Sequence, residues 1–145
     1  MAHALDGIGV LAPVAERRSI LGALFSSSLF PGRAPSGHVA LTVMAGGARR
    51  VDLAGLSVDQ LLASVRGDLA ELLGISGDPV FVRHTAWRKA IPQYAVGHEC
   101  HLESMAACER AYPGLFIGGQ ARSGMALPAC IAAGEALATR SVPAA

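Results

Sequence analysis

The sequence LFIGGQARSGMALPACIAAG, residues 115–134, decides how the rest of the chain is read. Leu115, Phe116 and Ile117 predict a short buried strand, and Gly118-Gly119 ends it. A small polar turn, Gln120 to Gly124, comes next. Pro128 is tolerated in a helix's first turn, where its missing N–H would have no partner anyway. It opens an Ala-rich helix through Cys130, Ile131 and Gly134. A strand, a glycine turn and a helix start let backbone N–H groups approach an anion or a hydrogen-bond acceptor with no Cβ in the way. Glycine pairs after strands more often make plain turns, so spacing alone leaves both readings open.

The surrounding chain is apolar and nearly neutral. Among 145 residues, 12 Lys plus Arg face 11 Asp plus Glu, a net charge of +1. That balance offers no basic surplus to neutralise phosphates and excludes nucleic acid as a main partner. Charged residues make up 16% and the mean hydropathy is +0.42. Such a composition fits either a well-buried α/β core or apolar faces that meet other parts of a larger protein. Cys100, Cys108 and Cys130 form an odd set, which predicts a reduced, cytoplasmic setting. Met1 to Asp6 has neither the basic nor the apolar region of a signal peptide, and no apolar run reaches the roughly 18–20 residues of a membrane span.

The periodicities predict an α+β fold. Strands are expected at 8–12, 20–25, 38–45 and 80–87, in an antiparallel or mixed sheet of about four strands. The first two, joined by the polar turn Glu16–Ser19, should be antiparallel neighbours. Ser26–Ser28 and Pro31–Gly37 read as a loop. His38–Ala45, apolar on both faces, reads as a central strand. Ser57 and Gln60 form a capping box for a helix through Leu73. That helix carries Val58, Leu61, Leu62, Val65, Leu69, Leu72 and Leu73 on one face and stops at Gly74. Residues 80–87 alternate, with Arg83 on the face of Phe81, Thr85 and Trp87. Gly97–Tyr112 reads as a helix halted by Pro113-Gly114.

Little in these residues suggests chemistry carried by side chains. His98-Glu99-Cys100-His101 lacks the two-histidine, four-apart spacing of a zinc-protease helix, so no metal site is assigned. No Ser-His-Asp set, carboxylate pair or activated cysteine stands out, and no catalytic side chain is assigned. Gly7-Ile8-Gly9 and Gly46-Gly47 lead into a strand and a loop, so neither is a G-x-G-x-x-G dinucleotide turn.

Several blocks carry a family resemblance. They are GIGVLAP (Gly7–Pro13), LGALFSSSLFPGRAP (Leu21–Pro35), Met44-Ala45-Gly46-Gly47 and AIPQYAVGH (Ala90–His98). Gly119, Gly124, Met125-Ala126-Leu127, Cys130-Ile131 and Gly134 complete the set. In this order and spacing they resemble the carboxy-terminal part of the protoporphyrinogen oxidases, FAD-dependent porphyrinogen oxidases related to the amine oxidases. Gln120 stands where that family favours Asn or a small residue, and Ala129 where it favours Asp or another polar one.

The resemblance implies oxidation of a porphyrinogen to a porphyrin in haem biosynthesis, by three two-electron rounds with FAD as acceptor. It implies that 1–96 belongs to a substrate domain and 97–140 to a flavin-binding segment, with 141–145 a tail. Gly118, Gly119, Gly124, Met125, Ala126 and Leu127 would then contact the flavin, and Arg83 and Tyr94 the porphyrinogen, whose propionates suit a guanidinium. The resemblance also implies that this chain starts inside a longer architecture whose upstream dinucleotide unit is a partner, and a setting in the cytoplasm, peripheral to the membrane in the full-length protein. Two other expectations are a non-catalytic remnant or partner subunit docking on a separate flavin domain or self-associating, and a tetrapyrrole-binding module without flavin.

Overall fold

The computed structural model describes residues 1–48, 50–87 and 89–142; Pro143 to Ala145 of the expected tail lie outside them. The fold is α+β, with three antiparallel strands and five helices among the described residues. The chain divides into two units, Met1–Ala86 and Trp87–Ala145.

In the first unit, β1 (Gly9–Leu11) and β2 (Ile20–Leu24) pair antiparallel with Val10 opposite Ala23. Between them a 3₁₀ turn at Val14–Glu16 ends on Arg17 in the left-handed region, at φ 53°. Helix α1 (Ser26–Leu29) and strand β3 (Thr42–Ala45) follow, then α2 (Val58–Leu73). The sheet order is β1-β2-β3. A bulge between Ile20 and Gly22 resets the side-chain alternation, so that both Ile20 and Ala23 are buried. They pack with Leu5, Phe25, Leu69 and Leu73 as the core. Asp68 on α2 accepts the N–H groups of Ser19 (2.7 Å) and Ile20 (3.1 Å), fastening the helix to the start of β2.

The ends of α2 are those read from sequence. Ser57 Oγ accepts the Gln60 N–H, and the Gln60 side chain accepts the Ser57 N–H. Gly74 caps the helix at φ 60°, and a Cβ there would come within 2.7 Å of the Ala2 Cβ. Only glycine meets both conditions.

Three expectations in this unit are corrected. Ser26–Ser28 opens a helical turn rather than a loop, and Ser27 exchanges bonds with Ala40 through its N–H and Oγ. Those bonds hold the chain out of the sheet until Thr42, so β3 is shorter than 38–45 and is an edge strand, with β2 central. Residues 80–87 form no strand, and the sheet has three strands among the described residues. Val80, Phe81 and Val82 are exposed. Their alternation specifies two faces but supplies no neighbour to pair with.

The second unit contains α3 (Glu99–Ala111), α4 (Gln120–Ser123) and α5 (Leu127–Ser141), and neither α3 nor α5 buries a residue. Trp87 is exposed. The strand expected at Leu115–Ile117 is absent. Leu115 N–H is taken by the Tyr112 carbonyl (2.9 Å) and Ile117 N–H by Glu109 Oε1 (2.8 Å). Local bonds thus use the donors a ladder would need.

Candidate functional site: a turn with bare amides

One carboxylate organises the second unit. Glu109, on α3, accepts from Arg122 Nη1 (2.7 Å) and Nη2 (3.0 Å), from Arg140 Nη2 (2.9 Å) and from the Ile117 N–H. These donors, Arg122 foremost and then Ile117 N–H, hold its carboxyl down to about 2 against the opposing effect of burial. The Arg140 guanidinium also lies over the Phe116 ring, 5.6 Å from its centroid. α3, α4, α5 and the segment before α4 are therefore tied to a single side chain.

In the turn that follows, six carbonyls accept or are approached by donors, while the amides on the far side of the same peptide units are open. Ile117 O accepts from Arg122 Nη1 (2.7 Å), and Gly119 O from the N–H groups of Arg122 and Ser123. Gln120 O accepts the Tyr94 hydroxyl, and Ala121 O the His98 Nε2–H (2.7 Å). Cys130 Sγ approaches the Gly124 and Met125 carbonyls, and Ala126 O accepts the Cys130 N–H. In a trans peptide the N–H points opposite to the C=O of the same unit. The N–H groups of Gly118, Gln120, Ala121, Met125, Ala126 and Leu127 accordingly turn away from those partners. None of the six has an acceptor among the described residues. No side chain caps α5, consistent with Ala129 in place of a polar residue.

Two concavities adjoin this turn. One, of about 610 Å³, lies between Lys89–Pro92 and Gly118–Ala121. The other, of about 420 Å³, is bounded by the turn and by Cys130, Ala133, Gly134 and Leu137 of α5. Both volumes are in the range of small-molecule sites.

The remaining expected residues fall as follows. Arg83 is exposed in the first unit. Tyr94 and His98 stack in the second, ring centroids 4.6 Å apart, and His101 meets His98 edge-on at 5.7 Å. Cys100, Cys108 and Cys130 carry free thiols. Gly118, Gly119, Gly124, Met125, Ala126 and Leu127 all lie on the bare turn. Sequence reasoning missed Glu109, which reads as an ordinary helix-surface acid. The available signal was the pair of arginines, 122 and 140, in a tail whose one other charged residue is Glu135.

Residues 3–140 match the model of the flavin containing amine oxidoreductases, and the chain belongs to that family. Among similar proteins is protoporphyrinogen oxidase 2, chloroplastic/mitochondrial, of Arabidopsis thaliana. It is 41% identical over 133 residues, which are 90% of this chain and 26% of the relative. The mitochondrial protoporphyrinogen oxidase of Nicotiana tabacum is 38% identical, over 91% of this chain and 27% of its own. Coproporphyrinogen III oxidase of Bacillus subtilis is 29% identical over 90% of this chain and 28% of its own. The chain thus spans about a quarter of the length of these relatives. Its relatives are oxidoreductases, and its family is flavin-containing. Among the described residues, no helix is long and apolar enough to cross a membrane.

The residues present fit such a cofactor. A Cβ on Gly119 would enter open space, with nothing within 4 Å, whereas one on Gly124 would lie 3.2 Å from the Ala129 Cβ. Both glycines hold positive φ (114° and 102°) with ψ near 180°, a region essentially reserved for glycine. At Gly119 the backbone therefore presents amides with no side chain over them.

Proposed function

We propose that this chain forms part of an FAD-dependent porphyrinogen oxidase of haem biosynthesis, converting a porphyrinogen to a porphyrin. The observation that carries the reading is the set of amides without an acceptor among the described residues, those of Gly118, Gln120, Ala121, Met125, Ala126 and Leu127, beside two concavities. When bound, the flavin supplies the two-electron oxidation. The chain's own residues supply orientation and charge stabilisation. The amides offer hydrogen bonds to flavin oxygens, each worth about 1 kcal/mol, and more as the ring becomes electron-rich. Met125, Ala126 and Leu127 add a small apolar wall. Arg83 is assigned to a substrate propionate, as a charge-assisted contact. The G-x-G-x-x-G motif does not occur in these residues, so they serve the ring and not the adenosine diphosphate half.

A titration of the ¹⁵N-labelled chain with FMN tests this. Shifts confined to the amides of Gly118–Leu127, at weak affinity, are expected; shifts elsewhere, or none, would refute the reading. The absence of any buried residue in α3 or α5, with Leu127 and Ile131 exposed, favours a second reading: a partner subunit that covers these helices with a separate flavin domain. Sedimentation with and without the dinucleotide-binding domain of a relative separates the two, since only the second predicts a stable complex.

A further inference from the structure

Tyr94 and His98 are four residues apart, with Gly97 between them at φ 89°. Their rings stack, and their two polar donors reach consecutive carbonyls, Gln120 O and Ala121 O. We propose that Tyr94 and His98 are positioning residues: together they grip the carbonyl side of the Gln120–Ala121 turn and so aim its amides at the flavin. The assignment rests on the flavin reading given above, and it gives Tyr94 a role other than substrate contact.

The argument is one of peptide geometry. Gln120 O and the Ala121 N–H belong to one planar trans unit, so a donor that fixes the carbonyl also fixes the opposite direction of the amide. The Ala121 N–H has no acceptor among the described residues, and Ala121 borders the larger of the two concavities. His98 acts one peptide further on: it fixes Ala121 O, and thereby the Arg122 N–H, which closes the α4 turn onto Gly119 O. Arg122 and Glu109 already hold Ile117 O and the start of the turn. Without Tyr94 and His98, the middle of the turn would have no side-chain anchor among the described residues. A four-residue helix carrying two flanking glycines at positive φ has little stiffness of its own. Ring stacking adds to the effect, because each donor is itself held in place by its neighbour.

The test uses Tyr94→Phe and His98→Phe, which keep stacked rings and remove only the donors. His98→Gln keeps a donor and serves as the rescue. Three quantities are read on the 145-residue chain: carbonyl ¹³C shifts of Gln120 and Ala121, the ¹⁵N order parameter of the Ala121 N–H, and the FMN affinity. Tyr94→Phe should move the Gln120 carbonyl shift, lower the Ala121 order parameter and weaken FMN about three- to tenfold, as for one hydrogen bond. His98→Phe should move the Ala121 carbonyl shift and weaken FMN similarly, and His98→Gln should restore much of the loss. The thermal midpoint should change little. Wild-type FMN affinity with unmoved carbonyl shifts in both Phe variants overturns this assignment and leaves the flavin reading standing. Moved shifts with unchanged FMN affinity also overturn it, since the turn then needs no aiming. An absence of FMN-induced shifts in the unmodified chain sinks the flavin reading, and this assignment with it.

Discussion

Glu109 and Arg122 form a bidentate pair, Nη1 to Oε1 at 2.7 Å and Nη2 to Oε2 at 3.0 Å. The same Arg122 Nη1 also donates to Ile117 O, while Glu109 Oε1 accepts the Ile117 N–H. Two side chains therefore satisfy both polar groups of one residue just ahead of the glycine turn. That is why this segment needs no ladder partner and why the turn begins at a defined place.

Replacing Glu109 with Gln removes the charge and one strong acceptor. The Ile117 amide should exchange with solvent several-fold faster, and the exchange of β2 amides in the other unit should be unchanged. Hydrogen exchange read residue by residue checks this, and an Ile117 amide as protected as before would refute the hub.

The acid dependence follows from the same group. Its folded-state value, about 2, lies below the ordinary 4.5, so the folded state favours the carboxylate. The contribution is fully present above about pH 4.5 and is lost as the pH falls toward about 2. The Glu109 carboxyl ¹³C shift should titrate with a midpoint near 2, and Glu109→Gln should abolish the linked loosening of the Ile117 amide.

Gly119→Ala probes the turn itself. At φ 114° and ψ 176° an alanine is strained by about 1–3 kcal/mol, although a Cβ would meet no neighbour. The turn should relax to another conformation, with FMN binding at least about fivefold weaker. Titration of the variant measures it, and unaltered affinity would show that the backbone shape at Gly119 is not used.

The first unit should respond as a small packed core. Leu73→Ala, at a site 3% exposed, should cost about 2–5 kcal/mol. Ser57→Ala, which removes the capping acceptor, should cost about 1 kcal/mol. Urea denaturation followed by far-ultraviolet circular dichroism reads both, and equal effects from the two would contradict this ranking.

What was legible in the sequence is what neighbouring residues decide. Ser57, Gln60 and Gly74 set the ends of α2 through bonds spanning a few positions. The short link at Glu16–Ser19 made β1 and β2 antiparallel neighbours. Pro128 starts α5 in its first turn. The glycines at 119 and 124 marked the candidate site, because a positive φ shows in the residue that permits it. The misread elements all depended on a partner elsewhere. Residues 80–87 had the alternation of a strand and no neighbour. His38–Leu41 had the apolar pattern, but Ser27 took the polar groups of Ala40.

By itself, then, the sequence determined the α+β class, the helix ends, the glycine turn and the family blocks, since each depends on backbone preferences and bonds within a few residues. Only the tertiary structure decided that β2 is the central strand, that Glu109 gathers Arg122 and Arg140, and that Tyr94 and His98 hold consecutive carbonyls. Those relations join residues 13 to 31 positions apart in the second unit. Many folded arrangements are compatible with one local pattern, and it is packing and hydrogen-bond satisfaction across the fold that select among them.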